Sequence, residues 1–221
     1  MPLDRKSILH SAFAILNESG PDSLTLRRLA QRLGVQAPAI YWHFKNKQEL
    51  LDEMGTQVMR EAAADAHLGT PVQSWERWAM NFGSGLRRTL LHYREGARMF
   101  SGTYATDTRL FDAMEISLRI LTDAGFPLRA AVCGMGTLYS YTIGFVIEEQ
   151  AIQPTQAEAK SKYELEKRNQ RIDPETHPLA YAAGREMFVE HDSRFVAGLE
   201  MIVAGMAKVL RDANPVPLEQ V

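Results

Sequence analysis

The fold turns on one stretch, Leu24-Thr25-Leu26-Arg27-Arg28-Leu29-Ala30-Gln31-Arg32-Leu33-Gly34-Val35-Gln36-Ala37-Pro38-Ala39-Ile40-Tyr41-Trp42-His43-Phe44-Lys45-Asn46-Lys47. Thr25 is suited to cap a short helix with apolar positions Leu26, Leu29, Ala30 and Leu33, and Gly34 then lets the chain turn. Pro38 fits the first turn of a second short helix, where its missing N–H costs little, and Ile40, Tyr41 and Phe44 follow it. Two short helices joined across a glycine have the spacing of a helix-turn-helix, whose second helix enters the DNA major groove while the first braces the backbone. Leu29, Leu33, Val35 and Ile40 can fix the angle between them and leave the basic groups outside. Arg27 carries a planar fork able to donate twice to guanine, whereas Thr25, Tyr41 and Lys47 can reach phosphate oxygens. The bland alternative is a three-helix bundle with a solvated basic face, in which Tyr41 and His43 are packed or capping side chains.

Working outward, residues 5–18 place Ile8, Ala12, Ile15 and Leu16 on one helical stripe that Ser19-Gly20-Pro21 stops. Asn46 with Glu49 three residues later resembles a capping box, and Leu50, Leu51, Met54 and Val58 carry a fourth, longer helix toward the rest of the chain. Helical spacing continues at 74–93, 96–101, 107–123, 127–151 and 180–211, with breaks near Gly102, Gly125-Phe126-Pro127 and Pro174. The polar segment 153–178 reads as a loop with at most a short helix. No long apolar/polar alternation appears, so the expected class is all-α. A three-helix helix-turn-helix domain over 1–47 is joined to a larger helical domain over 48–221.

The composition, 45% hydrophobic and 24% charged over 221 residues, is that of a folded protein with a sizeable core, which excludes a mainly disordered or collagen-like chain. One cysteine, Cys133, cannot form an intramolecular disulfide and is too few for a cysteine metal site, as expected in a reducing cytoplasm. The N-terminus lacks a continuous apolar leader, and neither secretion nor membrane spanning is expected. The net charge of −2 hides an asymmetry: residues 1–50 hold seven Lys/Arg against four Asp/Glu, while the remainder holds 18 against 23. A small basic module on a larger acidic body suits contact with phosphate, although such an imbalance is by itself often a solvated face.

Two late segments are unusually apolar. Leu128, Val132, Met135, Tyr139, Ile143 and Val146 follow helical spacing in the first, and Phe188, Phe195, Leu199, Ile202, Met206 and Val209 in the second. Gly134, Gly136, Gly198, Ala204 and Gly205 would let such helices approach closely. Either they form an intrachain core or two copies pack them into an intermolecular four-helix bundle, giving a homodimer through 127–151 and 180–211.

Leu33-Gly34-Val35, then Pro38 and Tyr41-Trp42-His43-Phe44-Lys45-Asn46-Lys47, resembles the signature of the tetracycline-repressor (TetR) family of bacterial transcription regulators. Trp75, Arg94, Glu95-Gly96-Ala97, Gly102-Thr103, Gly125-Phe126, Gly144, Glu148 and Gly198-Leu199-Glu200 are similar to the body of the tetracycline repressors, so the resemblance covers most of the chain. It implies that Arg27 reads bases, that Ala37, Pro38 and Ala39 face base edges, and that Tyr41, His43 and Lys47 position the phosphate backbone. Trp42 either packs or touches DNA. At Leu26, Ala37 and Ala39 those repressors carry polar groups; alanine can contact a thymine methyl but cannot donate a hydrogen bond, so a different operator is implied.

The resemblance also implies a small-molecule effector in the body, which in the tetracycline repressors arrives as a metal chelate. Here the positions of the polar amide, the metal-binding histidine and a cationic group fall on Phe82, Phe100 and Tyr104, and a further polar position falls on Ala63. Ser117 and Glu148 stay polar, Glu148 as a ligand acceptor, a supporting group or a cap. A phenyl ring cannot ligate Mg²⁺, so no metal and no tetracycline are expected. Phe82, Leu86, Phe100, Tyr104, Met114 and Tyr139 suggest instead a pocket for an apolar or aromatic molecule, unless these side chains simply fill the core.

No nucleophile elbow, P-loop, HExxH or dinucleotide fingerprint is present, and Gly134-x-Gly136 lacks the strand and third glycine of a dinucleotide loop. His92 and His191 have no partner at metal-ligand spacing, so neither catalysis nor a cofactor is expected. The expected protein is a cytoplasmic, ligand-responsive homodimeric repressor released from a palindromic double-stranded DNA operator by a small molecule. The alternatives are an effector-independent DNA-binding or architectural protein and a ligand-dependent activator.

Overall fold

The computed structural model describes residues 3–65, 74–152, 165–188 and 190–214, and every regular element within them is helical. Helix α1 (Arg5–Ser19) opens on a capping box: the Asp4 carboxylate accepts the Ser7 N–H at 2.7 Å and the Ser7 hydroxyl accepts the Asp4 N–H at 3.1 Å. The Ser7 hydrogen bonds favour the ionised form and hold the Asp4 carboxyl below the usual aspartate range. Gly20, with φ of 78°, ends α1. Thr25 caps α2 (Leu26–Leu33) by accepting the Arg28 N–H at 3.1 Å, and Gly34 closes it at φ 67°, a left-handed conformation that suits glycine. After α3 (Ala37–Tyr41), with Pro38 in its first turn, comes α4 (Lys47–Asp65). Asn46 accepts the Glu49 N–H at 2.9 Å, but the Glu49 carboxylate returns to the N–H of Lys45, one residue outside the expected box.

The body contains α5 (Trp75–Leu91), α6 (Gly96–Phe100), α7 (Arg109–Asp123), α8 (Leu128–Ile152), α9 (Leu165–Asn169), α10 (Pro178–Phe188) and α11 (His191–Ala213). The single helix expected over 180–211 is two, because the backbone at Glu190 (φ −98°, ψ 51°) leaves the helical region. Apolar spacing could not expose this break, since Phe188 and Phe195 lie seven residues apart and stay in phase across it. Of the polar segment expected as a loop, 153–164 lies outside the described residues, and the remainder holds only the short α9 before Pro178.

One apolar cluster gathers Ile8, Leu16, Leu29, Ile40 and Phe44 with Leu50, Met54 and Val58 of α4 and with Leu86, Phe100 and Val146 of the body. The second joins Trp78, Leu121, Leu138, Phe195, Leu199 and Met206. Gly83 and Gly134 let α11 come close: a Cβ on either would lie 2.6 Å from Leu199 or Met206 respectively. The two late apolar faces are therefore divided. Tyr139, Ile143, Val146, Phe195, Leu199 and Met206 pack inward, whereas Leu128, Val132, Met201 and Val209 are exposed, and Gly136, Gly144 and Gly205 meet open space.

Residues 130–147 are 18 successive uncharged residues, and α8 is long and apolar enough to cross a membrane. Its inward face nevertheless belongs to both core clusters, and its carboxylate Glu149 is 2% exposed and ion-paired to Arg87, which are features of a core helix with one open side.

Candidate functional site

Three arginines lie on α2, and the fold sorts them. Arg32 donates twice to the Glu18 carboxylate at 2.6 and 2.8 Å, a pairing that holds Glu18 below and Arg32 above their ordinary values. Arg28 donates to the Ser19 hydroxyl at 2.7 Å. Both contacts tie α2 to the C-terminal end of α1. Arg5 is also engaged: it donates to the His43 carbonyl at 2.8 Å, lies 4.3 Å over the Phe44 ring and pairs with Glu49 and Glu53. Arg27 is exposed and makes no hydrogen bond or ion pair among the described residues, as do the side chains of Lys45 and Lys47.

Ile40 is fully buried and pins α3 to the module. Tyr41 is 53% and Trp42 89% exposed; the indole does not pack into the core. Pro38 is exposed, Ala37 and Ala39 are half-buried, and Ala37 packs against the module's core. Thr25 is exposed but its oxygen already caps α2, leaving the hydroxyl proton to donate outward. His43 is half-buried, with its carbonyl committed to Arg5. The sequence reading missed Gln36. It stands exposed at the cap position of α3 with its side chain capping nothing, and an amide can both donate to and accept from adenine. The signal was available: Gln36 is the polar side chain immediately before three residues without hydrogen-bonding groups.

In the body, Phe82, Leu86, Phe100 and Tyr139 border one apolar cluster with α4, and Ala63 is half-buried on that helix. Phe82 stacks on Trp78 with centroids 5.5 Å apart, and Phe100 meets Tyr93 edge-on at 5.8 Å. Burial raises the Tyr139 phenol above its ordinary pKa, and its hydroxyl has no partner among the described residues. Other expected members lie elsewhere. Tyr104 is 80% exposed, its N–H held by Asp52, and Met114 is exposed on α7. Ser117 is buried but donates its proton to the Ala113 carbonyl at 2.8 Å. Glu148 is exposed, whereas Glu149 is buried, because adjacent helical residues point about 100° apart. Glu149 continues the buried stripe of Leu138, Thr142 and Val146, which is the register that distinguishes it in the sequence. No group of His, Cys, Asp and Glu that could hold a metal ion occurs among the described residues.

Residues 8–54 match the family model for bacterial regulatory proteins of the tetR family, and residues 68–210 match the tetracyclin repressor-like C-terminal domain. The chain belongs to the TetR family. The class C tetracycline repressor protein of Escherichia coli is 34% identical over 218 residues, covering 97% of this chain and 95% of that protein. A possible TetR family transcriptional regulator from Streptomyces coelicolor A3(2) superposes with a TM-score of 0.82 at 31% identity, over 93% of this chain and 100% of its own. A TetR variant from Acinetobacter baumannii AYE, solved in complex with minocycline, superposes with a TM-score of 0.72 at 30% identity, over 94% and 98%. This TetR-family protein is a ligand-responsive, DNA-binding transcriptional regulator, in a family of regulators rather than enzymes.

The regulator's two functional regions are joined through the turn between α5 and α6. Tyr93 lies 4.7 Å from Phe13 of α1, and its hydroxyl donates to Glu61 of α4 at 2.5 Å. Burial and that carboxylate push the Tyr93 phenol well above the tyrosine range. Arg94 donates its N–H to Asn17 of α1 at 3.0 Å. Beyond α6, Thr103 abuts Gly55 of α4, where a Cβ would lie 2.2 Å from the Thr103 hydroxyl oxygen. Thr106 donates its N–H to Thr56 at 2.8 Å, and Arg60 pairs with Asp107 at 2.7 Å. The segments on either side of α6 thus touch both α1 and α4.

Proposed function

We propose that the regulator is a cytoplasmic homodimeric repressor whose two modules grip a palindromic operator and release it when an apolar or aromatic molecule enters the body. The observation that carries this reading is the sorting of the α2 arginines, which leaves Arg27 exposed and unpaired among the described residues, as Tyr41, Trp42 and Lys47 of the same module are also exposed. In this reading Arg27 reads guanine, Ala37, Pro38 and Ala39 sit against base edges, and Thr25, Tyr41, Trp42, His43 and Lys47 hold phosphates. The module is 1–47, and α4 links it to a body of 48–221. The open stripes of α8 and α11 pair with those of a second copy, setting the modules one helical turn of DNA, or a multiple, apart.

The effector occupies the region of Phe82, Leu86, Phe100 and Tyr139, with the Tyr139 hydroxyl as its polar anchor. Displacing Phe100 moves α6, and with it α1 and α4, which changes module spacing. An effector that prefers the DNA-free state a hundredfold supplies about 2.7 kcal/mol of coupling.

The test is fluorescence anisotropy of the purified protein with DNA from beside its own coding region, against random DNA at several salt concentrations. Preference for the local fragment is expected, with a steep salt dependence, followed by release on adding apolar aromatic compounds. Operator affinity that no bound compound alters overturns the effector half of the reading, and equal weak binding to local, random and selected genomic fragments overturns the operator half.

A further inference from the structure

A cleft of about 630 Å³ opens between α5 and α11. Arg87, Arg88 and His92 line it from α5, and Asp192, Phe195 and Val196 from α11. Its charged end is turned away from Phe82: at 3.6 residues per turn, Arg87 stands about 140° around α5 from that ring, while Leu91 at the apolar end also packs against the cluster of Leu86 and Phe100. It is also off the open stripe of α11, since Asp192 and Phe195 lie on the flank that packs toward α5 rather than with Met201 and Gly205.

Arg87 has two carboxylate partners of different character. Glu149 accepts two hydrogen bonds at 2.8 and 2.6 Å and is 2% exposed, so it is held in place by burial and bidentate geometry. Asp192 accepts one at 2.6 Å while its side chain is 92% exposed. An exposed carboxylate gains little from such a pair and exchanges readily with solvent anions. The same guanidinium lies 5.0 Å over the Phe195 ring, so the charged end of the cleft adjoins an aromatic surface, with Leu91 and Val196 beside it. Asp192 is the acid of this lining, and it is the exposed one of the two carboxylates on Arg87.

We propose that the cleft binds a small organic anion, an aromatic carboxylate whose carboxyl group replaces Asp192 on Arg87 and whose ring lies against Leu91, Phe195 and Val196. Glu149 keeps the guanidinium in position during the exchange, and the bound molecule ties the first turn of α11 to α5.

The probe is 1-naphthoate, titrated calorimetrically into the full-length protein without DNA, so the outcome is independent of the operator reading. Saturable binding is expected. Asp192→Ala removes the competing carboxylate and tightens binding about two- to fivefold, the strength of an exposed ion pair. Val196→Trp fills the cleft and weakens binding about tenfold or more. The neutral analogue 1-naphthalenemethanol loses the Arg87 contact and binds about tenfold more weakly. Absence of saturable binding to both the parent protein and Asp192→Ala overturns the proposal. So does binding that Val196→Trp leaves unchanged, which places the probe elsewhere, or equal binding of the neutral analogue.

Discussion

Replacing Arg27 by alanine separates reading from bracing on α2. Arg27 has no internal partner among the described residues, so its removal costs the folded protein nothing in hydrogen bonds and the whole effect falls on DNA. A bidentate arginine–guanine contact discriminates by about 1–3 kcal/mol, roughly fivefold to 150-fold per half-site. On a palindrome the two half-sites are distant and add, giving about 2–6 kcal/mol for a dimer. Arg32→Ala is the matched control, because Arg32 is bound to Glu18 at 2.6 and 2.8 Å and braces α2 against α1. It should lower the melting temperature slightly and leave the ratio of operator to random-sequence affinity unchanged. The assay is anisotropy on labelled operator and shuffled duplexes across a salt series. Arg27→Ala should weaken operator binding alone, with the salt slope intact. Parallel loss on both duplexes, with the slope smaller by about 0.9 for each module, would refute the base-reading role and assign Arg27 to phosphate. An operator-specific loss in Arg32→Ala but not in Arg27→Ala would refute the sorting itself.

Glu149→Ala removes two buried charged hydrogen bonds and leaves Arg87 only the exposed Asp192, which should cost about 1.5–3 kcal/mol, or about 3–12 °C in melting temperature by calorimetry; Glu148→Ala should change neither. Gly55→Ala puts a methyl 2.2 Å from the Thr103 hydroxyl oxygen and should destabilise by about 1–3 kcal/mol, with recovery when Thr103→Ala is added; strictly additive losses in denaturant titrations would show that the contact is not the cause. The phenol of Tyr93 is raised above its unfolded value, so the unfolded chain loses its proton first and the stabilisation fades as pH climbs above about 10. Tyr139 and Tyr141 are raised in the same direction, so Tyr93→Phe should flatten, without abolishing, the fall in melting temperature on the alkaline side.

The local elements were legible because their signals are local. Thr25 as a cap, Gly20 and Gly34 as stops and Pro38 in a first turn each act within a few residues, so spacing places α1, α2 and α3. The helical apolar stripes likewise located α5 to α8, and the resemblance at 33–47 pointed to the family. What the sequence could not separate are pairs of residues with the same chemistry in one neighbourhood. Arg27, Arg28 and Arg32 are alike until α1 arrives with Ser19 and Glu18 to claim two of them. Glu148 and Glu149 are alike until α5 brings Arg87 to one. Tyr104 and Phe100 are both aromatic, yet only Phe100 finds Phe13 and Tyr93. Helix formation depends on hydrogen bonds four residues apart, which the sequence determines by itself; which side chains remain free to meet DNA or a ligand depends on partners tens of residues away, and only the tertiary structure supplies those.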